Sequence, residues 1–250
     1  MGRPKKKVDV IEKVAPHTIK KCELIEHYVD EWARKILGFN GVNGRDGSKG
    51  IIYIDCMSNS GLYYDSDDNL VDGTALRVAK RLNEILPNYP GKMGYVMFND
   101  ISQEKIDRLK KELDGLKLSN ITVRFNCGDG NEFIKELDIK ELQKQCGTLL
   151  LYDPYQAAID WDAITPYLNT WGEVIINHMV SDTNRGAAHA TREKAIQKYQ
   201  ETYQRDIASI IAMSSKTDLN KAILAIIRKR TESSRNKRYI ASFPFFNRTN

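Results

Sequence analysis

Four short apolar runs, GIIYIDC (50–56), GYVMFND (94–100), ITVRFNC (121–127) and GTLLLYD (147–153), decide how this chain folds. Each run is rich in β-branched or aromatic residues and is shorter than a typical helix, so each predicts a buried strand. The segment GEVIINHM (172–179) predicts a fifth strand of the same kind. Five such runs in one chain predict a central sheet.

The segments between these runs carry apolar residues at helical spacing. They predict helices over 73–86, 102–116, 131–145 and 160–169, the second capped by Ser102. Strands that alternate with helices favour an α/β fold with a mostly parallel sheet flanked by helices.

The two flanks of this core predict further elements. Residues 15–37 predict an amphipathic helix with an apolar face of Leu24, Ile25, Tyr28, Trp32 and Ile36. After the fifth strand we expect helices over 189–212 and 218–230, then a last strand over 238–246. The expected organisation is a single domain over 1–250, with a basic tail (1–14), an N-terminal helix and loop (15–49), the α/β core (50–180) and a helical insertion with the last strand (181–250).

The composition excludes several classes of protein. Hydrophobic residues are 41% and charged residues 28% of the 250 residues, which is typical of a globular chain and not of a disordered or collagen-like one. No apolar run approaches the roughly 20 residues that span a bilayer, and no apolar stretch follows the basic start, so we expect that the start is not a secretory signal. The four cysteines lie far apart, so we expect no metal site, no disulfides and a cytoplasmic protein.

The net charge of +5 is unevenly distributed. Residues 1–50 carry +4, residues 51–184 carry −8 and residues 185–250 carry +9. Basic ends around an acidic middle favour contact with a polyanion, although well-solvated basic helices would give the same pattern. A basic cluster within 228–238 predicts nucleic-acid contacts by Arg228, Lys229, Arg230, Arg235, Lys237 and Arg238.

Each of the first four predicted strands ends at, or two residues before, an aspartate. These residues are Asp55, Asp100, Asp129 and Asp153. Ligands of open parallel sheets bind at the carboxyl ends of the strands, so the four carboxylates mark a candidate site. Each aspartate alone has an alternative role as a helix cap.

The turn after the first strand is made of small residues and lacks the G-x-G-x-x-G pattern. A phosphate-binding dinucleotide loop, and with it a nicotinamide-type oxidoreductase, is therefore poorly supported. Small-residue turns of this kind also bind S-adenosylmethionine. In that case Asp55 would contact the ammonium of the methionine part, Asp100 would bind the ribose, and Asp129 would bind the adenine amine. The predicted cofactor residues are Asp55, Ser58, Ser60, Gly61, Tyr63, Asn99, Asp100, Gly128 and Asp129.

The segment LYDPY (151–155) resembles the motif of methyltransferases that act on exocyclic amino groups of bases. In that chemistry an Asp or Asn accepts hydrogen bonds from the amine, and an aromatic ring stacks on a base taken out of its helix. Asp153, Pro154 and Tyr155 are the predicted catalytic residues, with one proline where the motif has two.

With these motifs together, the chain resembles the three-Cys-motif partner family. HTIKKCELIEHYVDEW (17–32) is similar to that family's opening helix, and IDCMSNSGLY (54–63) to its first turn. The segments DGTAL (72–76), FNDIS (98–102), Gly128 with Asp129, LYDPY and IDW (159–161) also match, so the resemblance covers about residues 15–245. It implies a Rossmann-like methyltransferase fold, an S-adenosylmethionine cofactor and a three-Cys-motif protein as partner.

The chain departs from the family pattern at three places. Ser58 and Asn59 replace an Ala-Gly pair in the first turn, Met57 replaces a Phe, and Gln156 replaces the Gly after the DPY motif. Asn59 narrows the space that a glycine would leave for a cofactor. Two functions therefore remain open, a methyltransferase acting on a nucleic-acid base and a catalytically weak or inactive adaptor of the same fold that binds nucleic acid or a protein partner.

Overall fold

The structure is a computed structural model that describes residues 10–42, 45–170, 172–213, 215–231 and 239–243. The strands are β1 Glu12–Lys13, β2 Gly41–Val42, β3 Arg45–Asp46, β4 Gly50–Asp55, β5 Leu62–Tyr64, β6 Leu70–Asp72, β7 Met93–Asp100, β8 Ile121–Cys127, β9 Cys146–Tyr152 and β10 Glu173–Ile176. The α-helices are α1 Pro16–Leu37, α2 Thr74–Ile85, α3 Gln103–Asp114, α4 Gly130–Glu136, α5 Ile139–Leu142, α6 Trp161–Leu168, α7 Val180–Gly186, α8 Glu193–Tyr203, α9 Ile207–Ala212 and α10 Lys216–Thr231.

The main sheet has five strands in the order β10-β9-β4-β7-β8. The outer pairs, β10 with β9 and β7 with β8, are parallel. All six residues of the central strand β4 are buried, which explains why its sequence is apolar throughout and does not alternate. The predicted α/β fold with a mostly parallel sheet flanked by helices is confirmed.

The core elements match their predicted positions with one exception. The predicted strands correspond to β4, β7, β8, β9 and a shortened β10, and Ser102 caps α3 by accepting a hydrogen bond from the Lys105 N–H at 3.4 Å. The prediction of one helix over 131–145 is wrong, because the segment forms α4 and α5. Asp138 starts the second helix by accepting a hydrogen bond from the Glu141 N–H at 3.1 Å.

Helix α1 confirms the predicted N-terminal helix, but part of its predicted apolar face is wrong. Leu24 and Tyr28 are each 42% exposed. The buried stripe consists of Cys22, Ile25, Val29, Trp32, Ala33 and Leu37. This stripe includes small residues because α1 packs closely on α2, where the Thr74 hydroxyl lies 3.3 Å from the Cys22 sulfur.

The described residues form two compact units. Unit 1 takes the described residues of 10–51, 58–129 and 243, and unit 2 takes those of 52–57 and 130–242. Unit 1 also holds a small sheet in the order β1-β5-β6, in which β1 is parallel to β5 and β5 antiparallel to β6. The sequence pattern did not predict this small sheet, and a single domain over 1–250 stays a prediction.

The end of the chain differs most from expectation. The predicted helix over 189–212 is wrong, since Gln204 adopts a left-handed φ of 50° between α8 and α9. Helix α10 confirms the predicted helix over 218–230. Residues 239–243 form no strand, and the rest of the predicted strand over 238–246 lies outside the described residues. No helix of the described residues is both long and apolar enough to cross a membrane.

Candidate functional site

The turn after β4 is buried and is fastened to the end of β7 by hydrogen bonds within unit 1. The Ser58 N–H donates to the Asn99 carbonyl at 2.7 Å, and the Ser58 hydroxyl donates to the same oxygen at 3.1 Å. The Asn59 N–H donates to Asp100 Oδ2 at 3.0 Å. The Ser60 N–H donates to Asn59 Oδ1 at 2.6 Å. These hydrogen bonds hold Ser58, Asn59 and Ser60 in place within unit 1.

Two residues of this turn have left-handed backbone conformations. The φ of Asn59 is 58° and that of Gly61 is 75°. Asparagine tolerates this region better than most residues, which explains how a residue other than glycine occupies position 59. The Gly73 N–H donates to the Gly61 carbonyl at 2.7 Å, and a Cβ on Gly73 would lie 3.2 Å from the Gly61 carbonyl carbon. The two glycines allow this close approach of backbones.

Asp100 ends β7 and is 3% exposed. Its Oδ2 accepts from the Asn59 N–H, and its Oδ1 accepts from the Ser102 N–H at 2.9 Å. A carboxylate has about four acceptor positions, so these two bonds leave capacity for more. Ile101, the next residue, is 76% exposed. A carboxylate and an exposed apolar side chain thus follow each other at this strand end.

Asn99 joins the ends of β7 and β8. Its Nδ2 donates to the Gly128 carbonyl at 3.0 Å, and its Oδ1 accepts from Asn126 Nδ2 at 2.7 Å. The Gly128 N–H in turn donates to the Asp100 carbonyl at 3.1 Å. The structure therefore brings together the predicted residues Asn99, Asp100 and Gly128, and it adds Asn126, which the sequence analysis missed.

The remaining predicted cofactor residues have varied surroundings. Asp129 is exposed immediately before α4, and Tyr63 is half-buried in β5. In unit 2, Asp55 is buried and accepts from the Met57 N–H at 3.2 Å and from the Tyr53 hydroxyl at 3.5 Å. A Cβ added to Gly130 would lie only 2.5 Å from the Cys56 carbonyl oxygen, so the two backbones approach closely here.

The predicted catalytic motif follows β9 in unit 2. Asp153 is half-buried, Pro154 is buried and Tyr155 is 54% exposed. Asp153 Oδ1 accepts from Asn177 Nδ2 at 2.6 Å. The Asn177 N–H also donates to the Tyr152 carbonyl at 2.9 Å. The sequence analysis missed Asn177. Its position as a polar residue directly after an apolar strand could have indicated it.

The segment after Tyr155 is held by helices α7 and α8. The Ala157 N–H donates to Asp182 Oδ2 at 2.8 Å. Thr202 accepts twice, from the Ile159 N–H at 3.1 Å and from the Trp161 indole N–H at 2.9 Å. The helical region after the main sheet therefore shapes the segment that follows the motif.

A second polar group in unit 2 surrounds Tyr203. Its hydroxyl lies 2.7 Å from His178 Nε2 and 2.9 Å from the Thr183 hydroxyl. Burial lowers the pKa of His178 to about 4, against the weaker opposing effect of the Asp182 carboxylate. Burial raises the pKa of Tyr203 to about 12. His178 is therefore a neutral imidazole near neutral pH.

The basic cluster is described only in part. Arg228 and Lys229 are exposed at the end of α10. Arg230 instead donates to the Thr165 hydroxyl at 2.7 Å, and its guanidinium carbon lies 5.4 Å from the centre of the Trp161 ring. Three predicted contacts lie outside the described residues, Arg235, Lys237 and Arg238.

No protein-family model matches the chain, and no curated protein matches it. One matching solved structure is PKMT2 from Rickettsia typhi, at 13% identity and a TM-score of 0.29. The match covers 56% of this chain and 21% of that one, so this chain spans about a fifth of its length. The strand order and the parallel pairing of the main sheet show the α/β fold. Among the described residues, no group of three or more His, Cys, Asp or Glu side chains is arranged to hold a metal ion.

Proposed function

We propose that this chain is an S-adenosylmethionine-dependent methyltransferase that acts on an exocyclic amino group of a nucleic-acid base. The observation that carries the proposal is the 3.0 Å hydrogen bond from the Asn59 N–H to Asp100 Oδ2. It holds a turn of small residues against a strand-end carboxylate. An adenosine cofactor needs both parts, a backbone that it can approach closely and a carboxylate that accepts hydrogen bonds from ribose hydroxyls.

The side chains next to Asp100 suit the adenosine part of such a cofactor. Ile101 is 76% exposed and offers an apolar surface to the flat face of adenine. The exposed carboxylate of Asp129 would accept a hydrogen bond from the adenine amine. Asp55, Ser58, Ser60, Gly61 and Tyr63 complete the proposed cofactor residues, with Asp55 assigned to the ammonium of the methionine part.

The target amine is assigned to unit 2. When bound, S-adenosylmethionine would supply a sulfonium methyl group. A bond would form between the amine nitrogen and the methyl carbon, and the carbon–sulfur bond would break with its electron pair remaining on sulfur. Asp153 would accept a hydrogen bond from the amine, Pro154 would fix the backbone, and the exposed ring of Tyr155 would stack on the base. The amine proton leaves to water. Placement supplies most of the rate in such a direct displacement.

The family, partners and location extend this proposal. The sequence resemblance suggests membership of the three-Cys-motif partner family and a three-Cys-motif protein as partner. The composition suggests a cytoplasmic location. Contact with nucleic-acid phosphates is assigned to the basic cluster, in which Arg228 and Lys229 are exposed.

One observation favours a second candidate, an adaptor that keeps the fold with little or no catalysis. The backbone N–H groups of Ser58, Asn59 and Ser60 all donate to acceptors within unit 1. In this conformation the turn directs none of these three groups at a ligand. A cofactor would have to bind through side chains, or the turn would have to rearrange.

Calorimetry with S-adenosylmethionine and S-adenosylhomocysteine tests the proposal. We expect binding of both by the wild type and at least tenfold weaker binding by Asp129→Ala, because a hydrogen bond to a carboxylate contributes about 1.5–3 kcal/mol. Asp114→Ala is the matched control, since Asp114 is an exposed aspartate of the same unit at the end of α3. Absence of binding would exclude the cofactor. Binding without transfer of a labelled methyl group to single-stranded DNA or RNA would favour the adaptor.

A further inference from the structure

We infer that Asn177 is a positioning residue that orients the Asp153 carboxylate toward the target amine. The inference rests on the proposed function and adds a residue to it. Asn177 Nδ2 donates to Asp153 Oδ1 at 2.6 Å, slightly shorter than the usual range of about 2.7–3.2 Å for N–H···O bonds.

The parallel pairing of β10 with β9 explains why these two residues meet. The register places Ile176 opposite Tyr152, so the next residues, Asn177 and Asp153, follow side by side. The Asn177 backbone N–H continues the ladder by donating to the Tyr152 carbonyl at 2.9 Å. One residue thus holds the strand end through its backbone and the carboxylate through its side chain.

The bond matters because a carboxylate on its own is poorly oriented. The last torsion of an aspartate side chain is broad and roughly two-fold, so its oxygens sweep a wide arc. A fixed donor on one oxygen narrows that arc. A carboxylate has about four acceptor positions, so a hydrogen bond from Asn177 is compatible with another from an amine.

Asparagine suits this role better than a charged donor. The amide has two N–H groups and carries no charge, so it orients Asp153 without neutralising it. The next residue, His178, is engaged with the Tyr203 hydroxyl at 2.7 Å. The positioning bond therefore depends on Asn177 and not on the histidine beside it.

Kinetics of Asn177→Leu and Asn177→Asp test the inference, with methyl transfer from S-adenosylmethionine to a single-stranded DNA oligonucleotide and to an RNA of the same sequence as the probes. We expect kcat to fall about tenfold to a hundredfold in Asn177→Leu, because misplacement of a reacting group costs factors of this size. Asn177→Asp should lose more, since a second carboxylate repels the first. Cofactor affinity and KM for the oligonucleotide should stay within about twofold, as expected when only the reacting geometry changes.

A matched control and an independent readout separate positioning from folding. Asn169→Leu removes another half-buried amide of unit 2, one that donates to the Thr165 carbonyl at 3.2 Å, and should keep the wild-type kcat. In nitrogen NMR, Asp153→Ala should shift the Asn177 side-chain amide signal and leave that of Asn169 in place.

The outcomes distinguish the two levels of the proposal. A wild type that methylates neither probe overturns the proposed reaction, and the role of Asn177 with it. A wild type that methylates a probe, with kcat unchanged in folded Asn177 variants, overturns the role of Asn177 alone. If Asn177→Leu does not fold, Asn177→Asp, which has nearly the same size, decides.

Discussion

Asp100 and Asp153 occupy the same kind of place, the carboxyl end of a sheet strand, yet their surroundings differ. Asp100 is 3% exposed and accepts from two backbone N–H groups, those of Asn59 and Ser102. Asp153 is half-buried, accepts from a side-chain amide and precedes a tyrosine that is 54% exposed. The first carboxylate shapes a turn of the chain, whereas the second is presented beside an exposed ring. A strand-end aspartate in a sequence therefore fits either of two roles, and the donors around it decide which.

The largest expected effect comes from removing the buried carboxylate. Asp100→Ala leaves two N–H groups without their acceptor, so the free energy of unfolding should fall by about 2–5 kcal/mol, and cofactor affinity should fall at least tenfold. Urea denaturation and calorimetry measure the two losses. Asp100→Asn keeps one carbonyl acceptor and should lose less stability. Equal stability losses in Asp100→Ala and Asp153→Ala would remove the distinction between the two carboxylates.

Removing the presented carboxylate should affect chemistry and not binding. Asp153→Ala is expected to reduce methyl transfer at least about a hundredfold while cofactor affinity stays within about twofold, because Asp153 would act on the target amine alone. Its stability loss should stay near 1 kcal/mol, as for a half-exposed side chain. Parallel loss of binding and turnover would instead mark Asp153 as a structural cap.

A half-buried histidine, His178, directly follows the residue that bonds this second carboxylate and gives a prediction for pH. The pKa of His178 is lowered to about 4 by burial, so between its usual value of about 6.5 and 4 the unfolded chain binds more protons than the folded chain. Stability from this group is full above pH 6.5 and is lost as the pH falls. We expect a loss of about 2 kcal/mol between pH 7.5 and 5.

The matched variant for this prediction is His178→Gln, which keeps a polar side chain near Tyr203 but does not titrate. Denaturation at the two pH values should show a smaller loss in the variant than in the wild type. Identical losses would mean that His178 is charged in the folded protein at pH 5, against the lowered pKa.

The sequence predicted those features that depend on burial and local pattern. The central strands are continuous apolar runs because they are covered on both faces, and this is visible in the letters alone. The aspartates at the end of β7 and directly after β9 were also visible, as was the cap at Ser102. Such local features can be predicted without knowledge of how the elements pack.

The features that were missed depend on long-range contacts. Leu24 and Tyr28 were expected in the core, but the close packing of α1 on α2 selects a stripe that includes the small residues Cys22 and Ala33. Asn126 and Asn177 acquire their importance from partners 27 and 24 residues away, which no local pattern indicates. The break between α8 and α9 depends on a left-handed Gln204, a residue without strong preference for that conformation.

The smallest expected effect concerns the basic residues at the end of α10. As with the two aspartates, some of these side chains are bonded within the protein and others are exposed. Arg228 and Lys229 are exposed, whereas Arg230 donates to Thr165 and lies against Trp161. If the exposed pair contacts phosphates, log K for single-stranded DNA falls with log[salt], and replacing both by Ala lowers the size of that slope by about 1.4. The loss should be alike for all sequences, because phosphate contacts do not specify bases. Arg230→Ala should leave the slope unchanged and lower stability instead. Fluorescence anisotropy at about 50 and 200 mM salt measures the slopes, and a flat response of the wild type would exclude a phosphate-binding role for this helix end.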